Sequence, residues 1–244
     1  MDISQSVSYN ELKKQNVKII VCDNSEIKTN NQMVVQQDNQ VYLSMNGNKG
    51  LSYAYNRAID YIFSQTLTGK EKICLFDDDT QISDDYFQVM ERSNSDICLP
   101  KVYDEKSLLS PSLMINGKSI RWDESQPLDK KNISGINSGM CIQASVFENY
   151  RYDESLFLDY VDHYFLFEMK RQGKSIEVVD TILHQSFSAN SNDLESELNR
   201  FKLFKKDSEI FYRLTKLRGY HYTLLKRKLG LMLRYKKTSL MWRL

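Results

Sequence analysis

The chain has 244 residues, 41% apolar and 27% charged, which suits one large domain, or a domain with an appendage, around a sizeable core. No run approaches the ~18 apolar residues of a membrane span, no signal peptide opens the chain, and no repeat, low-complexity tract or Gly/Ser-rich linker is visible. The four cysteines, Cys22, Cys74, Cys98 and Cys141, form no C-x-x-C pair and sit in or beside apolar runs, so buried reduced thiols in a cytosolic protein are expected.

The net charge of +1 hides a division. Residues 200–244 carry fourteen Lys/Arg against two acids, or +12, and residues 1–199 carry nineteen against thirty, or −11. An acidic body with a basic tail implies two surfaces with different partners.

In chain order, residues 17–22 ("VKIIVC") read as a buried strand ending in the turn residues Asp23-Asn24-Ser25. Residues 41–45 are a second strand, leading into the loop "NGNKG". Leu51, Ala54, Tyr55, Ala58, Ile59, Ile62 and Phe63 then follow helical spacing and predict an amphipathic helix of about four turns. A third strand, 72–76, runs into Asp77-Asp78-Asp79. Ser83, Asp84 and Asp85 suit the cap and first turn of a helix. Residues 96–99 form a strand stopped by Pro100, whereas 101–135 show few strong patterns. Val161, Phe165 and Met169 recur at helical spacing, with Gly173 as a stop signal. Asp159 and Asp162 share a face near that helix start. The extended segment "SIEVVDTILHQS" follows and contains His184.

Strands alternating with helices imply an α/β fold with a mostly parallel sheet, whose ligands bind beyond the carboxyl ends of the strands. Asp23 and the Asp77–Asp79 cluster both stand at such ends. Side chains alternate along a strand, so Asp77 and Asp79 point together and Asp78 points away. Paired carboxylates suit a hard divalent cation, which would also relieve their repulsion; a solvated acidic turn is the plainer alternative. Haloacid-dehalogenase-type phosphatases also place D-x-D after an apolar strand, but they require Thr or Val two positions after the second Asp, where this chain has Gln81. His163, His184 and His221 carry no decisive signal individually.

Taken in order, the motifs resemble the family 2 glycosyltransferases, which have the GT-A fold, and most of all their bacterial rhamnosyl- and galactofuranosyl-transferase-like members. The resemblance covers residues 17–190 and rests on "VCDNS", "NGNKGLSYAYNRAI", "FDDDT", "INSGMCI", "LFLDYVDHYFLFEMKRQGKSI" and "LHQS". It implies a donor site of Asp23, Asn24, Asn48, Gly50, Asn56 and Asp78. It implies Mn²⁺ or Mg²⁺ held by Asp77, Asp79 and His184, and an acceptor region of Ser138, Gly139 and Asp159. Gly173 lies eleven residues after Asp162, the family spacing that assigns the catalytic base to Asp162 rather than Asp159. The implied reaction is inverting transfer of a sugar from a nucleotide-sugar to a saccharide or lipid-linked saccharide, for a bacterial surface polysaccharide. dTDP-rhamnose is the first expected donor and UDP-linked galactose, in either ring form, the second.

Two features depart from the family pattern. The family begins with an apolar strand before "VKIIVC", whereas "MDISQSVSYNELKKQN" reads as part of the following helix, so the first strand is expected to be missing. Glu168 stands where many members have Arg. The missing strand makes an inactive homologue that binds only a partner or nucleotide the competing expectation.

Residues 1–190 are read as the catalytic domain and 191–244 as a basic helical extension. "YHYTLLKRKLGLMLRYKK" suits a helix lying on an anionic membrane surface, which would place the protein peripherally on the cytosolic face. Packing on the body or homo-oligomer formation is the alternative, and no recognition motif accompanies the charge to suggest nucleic acid.

Overall fold

A computed structural model of the protein describes residues 2–27, 29–186 and 193–236. Residues 2–19 hold a 3-10 turn and a short helix, α1 (Val7–Leu12), which Ser6 caps through its hydroxyl; no strand lies among them. Strand β1 (Ile20–Asp23), helix α2 (Asn31–Gln37) and strand β2 (Val41–Ser44) follow, and β1 and β2 pair in parallel. Helix α3 (Leu51–Phe63) has the predicted bounds. It buries Ala54 and Ile59 and packs Leu51, Tyr55 and Phe63 on the main core.

Strand β3 (Lys72–Cys74) leads to the aspartates, followed by the two-residue β4 (Thr80–Gln81), α4 (Tyr86–Arg92) and β5 (Ile97–Tyr103). Four short strands come next: β6 (Leu108–Ser110), β7 (Ser112–Ile115), β8 (Lys118–Arg121) and β9 (Ile133–Ser134). The chain continues through β10 (Cys141–Gln143), α5 (Val161–Arg171), β11 (Ile176–Gln185), α6 (Leu194–Thr215) and α7 (Tyr220–Tyr235).

The larger sheet runs β3-β10-β5-β11-β4, with β6 on β5. It is mixed rather than mostly parallel. β10 is reversed between β3 and β5, so those two strands still run the same way, and β11 pairs with β5 in parallel. Among the described residues β1 pairs only with β2, and β3 only with β10.

Pro100 does not end its strand. β5 runs through it because the missing N–H falls at a gap in the pairing. On one edge β10 pairs with Ile97 and Cys98 while β6 pairs with Val102 and Tyr103; on the other, the β11 register shifts between Val178 and Ile182. Nor do Ser83 and Asp85 cap α4 with their side chains. Both reach Thr181 on β11, at 2.7 Å each, and so tie α4 to the sheet.

The main core joins the sheet to α5 and α6 through Ile97, Leu99, Met140, Ile142, Phe147, Phe165, Leu166, Met169 and Phe211. Phe201 and Phe204 of α6 pack on Leu224 and Leu231 of α7. The basic segment is thus built into the body as far as residue 236; residues 237–244, with Trp242, lie outside the described residues. No described helix is long and apolar enough to cross a membrane.

Candidate active site

The site gathers at the carboxyl ends of β1 and β3, where each chain leaves its strand and the side chains are free to turn toward a ligand. Asp77 follows β3. Burial pushes its carboxyl up to about 6, and the neighbouring charges of Asp79, Asp162 and Asp78 add to the rise. The opposing influence is a hydrogen bond from Gln185 Nε2 to Asp77 Oδ2 at 2.9 Å. Burial likewise raises Asp79, whose Oδ1 is buried without a partner among the described residues. Asp78 is exposed, in the turn between β3 and β4. Its carbonyl accepts from Ser6 Oγ and from the N–H groups of Val7 and Ser8, so α1 anchors the acidic turn.

Asp162 stands in the first turn of α5, and Tyr160 before it adopts a left-handed conformation at φ 64°. Burial raises the Asp162 carboxyl, against the proximity of His163 and the 2.7 Å bond from the His163 N–H to Oδ1. A base with a raised pKa is better matched to proton transfer near neutrality. Burial raises the Tyr55 phenol on α3, and the charges of Asp77 and Asp162 add to the rise. Asp77 thus feels the charges of both Asp79 and Asp162, although 85 residues separate it from the latter.

His184 and Gln185 end β11, opposite Gln81 and Thr80 respectively. Because successive strand residues face opposite ways, only one of the pair turns to the acids. Gln185 does so; His184 is exposed, with its ring beside Tyr103 at 6.3 Å between centroids. Gln185 carries no signal in the sequence beyond its place next to His184, and the alternation of buried Val179, Thr181 and Leu183 is what could have indicated it.

The remaining residues expected at the site organise its walls. Asp23 is 8% exposed and accepts from Ser25 N–H, Thr29 Oγ1, Asn31 Nδ2 and Tyr42 OH. Burial would raise its carboxyl, but these bonds outweigh it and bring it to about 2. Asn24 joins the two loops through Gly50 O and Lys49 N–H, and Asn48 Oδ1 accepts from Gly50 N–H. Gly50 has φ +90°, and a Cβ there would lie 2.7 Å from the Phe157 ring. Asn56 is buried and exchanges hydrogen bonds with the Tyr152 backbone in both directions.

Ser138 and Gly139 lie behind the acids rather than in the open. Ser138 Oγ meets Thr80 Oγ1 and accepts from Asp77 N–H. A Cβ on Gly139 would lie 2.3 Å from Leu183. Asp159 faces α6, where Arg200 holds both its oxygens. Glu168 is buried and pairs with Arg171 at 2.9 Å.

Among the described residues no three His, Cys, Asp or Glu side chains converge as a cation cage. Two carboxylates and an amide do meet, however, and two of their oxygens, Asp79 Oδ1 and Gln185 Oε1, are buried without partners. An all-oxygen donor set with orphaned acceptors fits a hard divalent cation.

This arrangement places the chain among proteins with the GT-A glycosyltransferase fold. Solved structures with that fold include S. aureus TarS (residues 1–349), with TM-score 0.51 and 16% identity over 97% of this chain and 68% of the other. GalNAc-T7 with UDP, GalNAc and Mn²⁺ matches with TM-score 0.52 and 10% identity over 89% of this chain and 52% of the other. In sequence the chain is a homologue of the dTDP-rhamnosyl transferase RfbF of Shigella flexneri, 30% identical over 182 residues, 70% of this chain. The chain matches 60% of the length of that relative. No protein-family model matches.

Proposed function

We propose that the protein is a metal-dependent, inverting glycosyltransferase of family 2 that moves a sugar from a nucleotide-sugar to a hydroxyl of a saccharide or lipid-linked saccharide. The observation that carries this reading is the buried Asp77 carboxyl, bonded by Gln185 at 2.9 Å and close enough to Asp79 and Asp162 for their charges to raise it. dTDP-rhamnose is the preferred donor, supported by the homology to RfbF, and a UDP-sugar is the second choice.

Asp77 and Asp79 would hold Mn²⁺ or Mg²⁺, which when bound offsets the negative charge growing on the departing diphosphate. The Asp23–Asn24 and Asn48–Gly50 loops, tied together by Asn24, shape the wall beside which the nucleotide lies. Asp162 takes the proton from the acceptor hydroxyl as its oxygen attacks the anomeric carbon, help worth about 10²–10⁴-fold in rate. One base and attack from the face opposite the leaving group give inversion. Screening nucleotide-sugars with Mn²⁺ for transfer, and repeating the best with Asp162→Asn, tests the assignment; near-normal turnover in that variant refutes it.

A second reading is a homologue that binds a nucleotide without transferring sugar. Its support is the unpaired edge that β1 and β3 each present among the described residues, beside the proposed donor site. Donor binding with no transfer to any acceptor would select it.

The same reading gives α7 a membrane role. Tyr222, Leu225, Leu229 and Leu233 form one exposed stripe, 41–79% accessible, with exposed Lys226 and Lys236 alongside. An apolar stripe edged by lysines suits the surface of an anionic bilayer, where a lipid-linked acceptor would reside.

A further inference from the structure

We propose that Gln185, not His184, is the third protein side chain of the cation site, with its amide oxygen facing the ion. This rests on the metal-dependent reading above and adds a ligand that the motif resemblance does not assign. Three observations carry it. Gln185 Nε2 already reaches Asp77 Oδ2 at 2.9 Å, so the amide lies within the acidic pair. Gln185 Oε1 and Asp79 Oδ1 are both buried and both lack a partner among the described residues, a cost that a bound cation removes at once. His184 is exposed and lies against Tyr103, on the other side of a strand whose register with Gln81 and Thr80 fixes the facing of both residues.

The donor set therefore differs from the one read off the sequence. Two carboxylates and an amide carbonyl are all hard oxygen ligands, which suit Mg²⁺ and Mn²⁺ alike, whereas an imidazole would bias the site toward Mn²⁺. The amide also has a second use. While the site is empty its N–H group holds Asp77 in place, so one side chain stabilises the repelling acids in both states.

The test is Mn²⁺ binding to the full chain, alone and with dTDP, followed by electron paramagnetic resonance. Gln185→Ala is expected to weaken binding at least tenfold and His184→Ala to change it less than twofold. Gln185→Glu, which keeps an oxygen ligand but cannot donate to Asp77, is expected to bind at least as tightly as the wild type. The spin-echo envelope of the wild type should lack imidazole nitrogen modulation, a readout independent of any variant's folding. Imidazole modulation, or a tenfold loss in His184→Ala with Gln185→Ala unaffected, overturns the assignment and leaves the metal reading standing. A wild type that binds no Mn²⁺ in either condition overturns both.

Discussion

Arg200 grips Asp159 through both guanidinium nitrogens, one of them at 2.7 Å, across 41 residues of sequence. The pair fastens the second turn of α6 to the loop that enters α5, three residues before Asp162. A side chain from the basic segment thus sets the approach to the proposed base. Arg200→Ala is expected to lower turnover several-fold while donor affinity stays within twofold, because Asp207 still holds the N–H groups of Phe157 and Leu158, the segment on which the Gly50 loop rests. Arg200→Lys should recover only part of the loss, since an ammonium cannot reproduce the planar two-pronged contact. Steady-state kinetics with donor and acceptor varied separately would show the split.

Asp207 makes the same connection from deeper inside. Its carboxylate is fully buried and accepts from the N–H groups of Phe157, Leu158 and Asp159 at 3.1, 2.8 and 2.8 Å. Asp207→Ala would leave three backbone donors unpaired. A loss of about 3 kcal/mol is expected, which for a chain of this size lowers the melting temperature by roughly 6–12 °C. Asp207→Asn, which keeps the shape and one acceptor oxygen, should lie between. Differential scanning calorimetry checks both; a shift under 2 °C for Asp207→Ala would contradict the role.

The Asp23 carboxyl gives a pH signature. Its folded pKa, about 2, lies below the unfolded value of about 3.9. The group therefore contributes stability that is complete above about pH 4 and is lost as pH falls toward 2. Asp23→Asn should be destabilised relative to wild type at pH 6, with the gap narrowing steadily between pH 4 and pH 2. Urea unfolding across that range measures it, and a gap that does not change with pH would show that the hydrogen bonds, not the charge, are responsible.

The α7 stripe predicts selective membrane binding. The protein should float with vesicles containing phosphatidylglycerol and not with pure phosphatidylcholine, and added salt should weaken the association. Replacing Leu225, Leu229 and Leu233 together by Ser should abolish flotation while leaving the fold intact, because all three are exposed. Flotation of that variant at the wild-type level would remove α7 from the membrane.

Much of this was readable in the sequence where one periodicity dominated. The stripe from Leu51 to Phe63 placed α3 to the residue, whereas the apolar run 72–76 is strand only as far as Cys74, three residues short of Asp77. The β7–β8 hairpin was missed although Asn116-Gly117 is a strong two-residue turn signal, and both residues take positive φ. Pro100 misled because a proline's effect depends on which neighbours pair beside it, and that is a tertiary fact. Which of His184 and Gln185 faces the acids is set by the pairing of β11 with Gln81 and Thr80, and that too is a tertiary fact. Asp207 lacked a motif, yet it sits on the buried face of α6 with Phe204, Ser208 and Phe211, and a lone charge on such a face was a usable sign.

The central claim is that Asp162 accepts the proton of an acceptor hydroxyl in a metal-assisted sugar transfer. The most direct measurement is transfer from dTDP-rhamnose with Mn²⁺ by the wild type and by Asp162→Asn, with Mn²⁺ and donor binding recorded for both. Transfer by the wild type is expected, with a loss of at least ~10²-fold in the variant and binding unchanged within about twofold. Turnover by Asp162→Asn within tenfold of the wild type would contradict it.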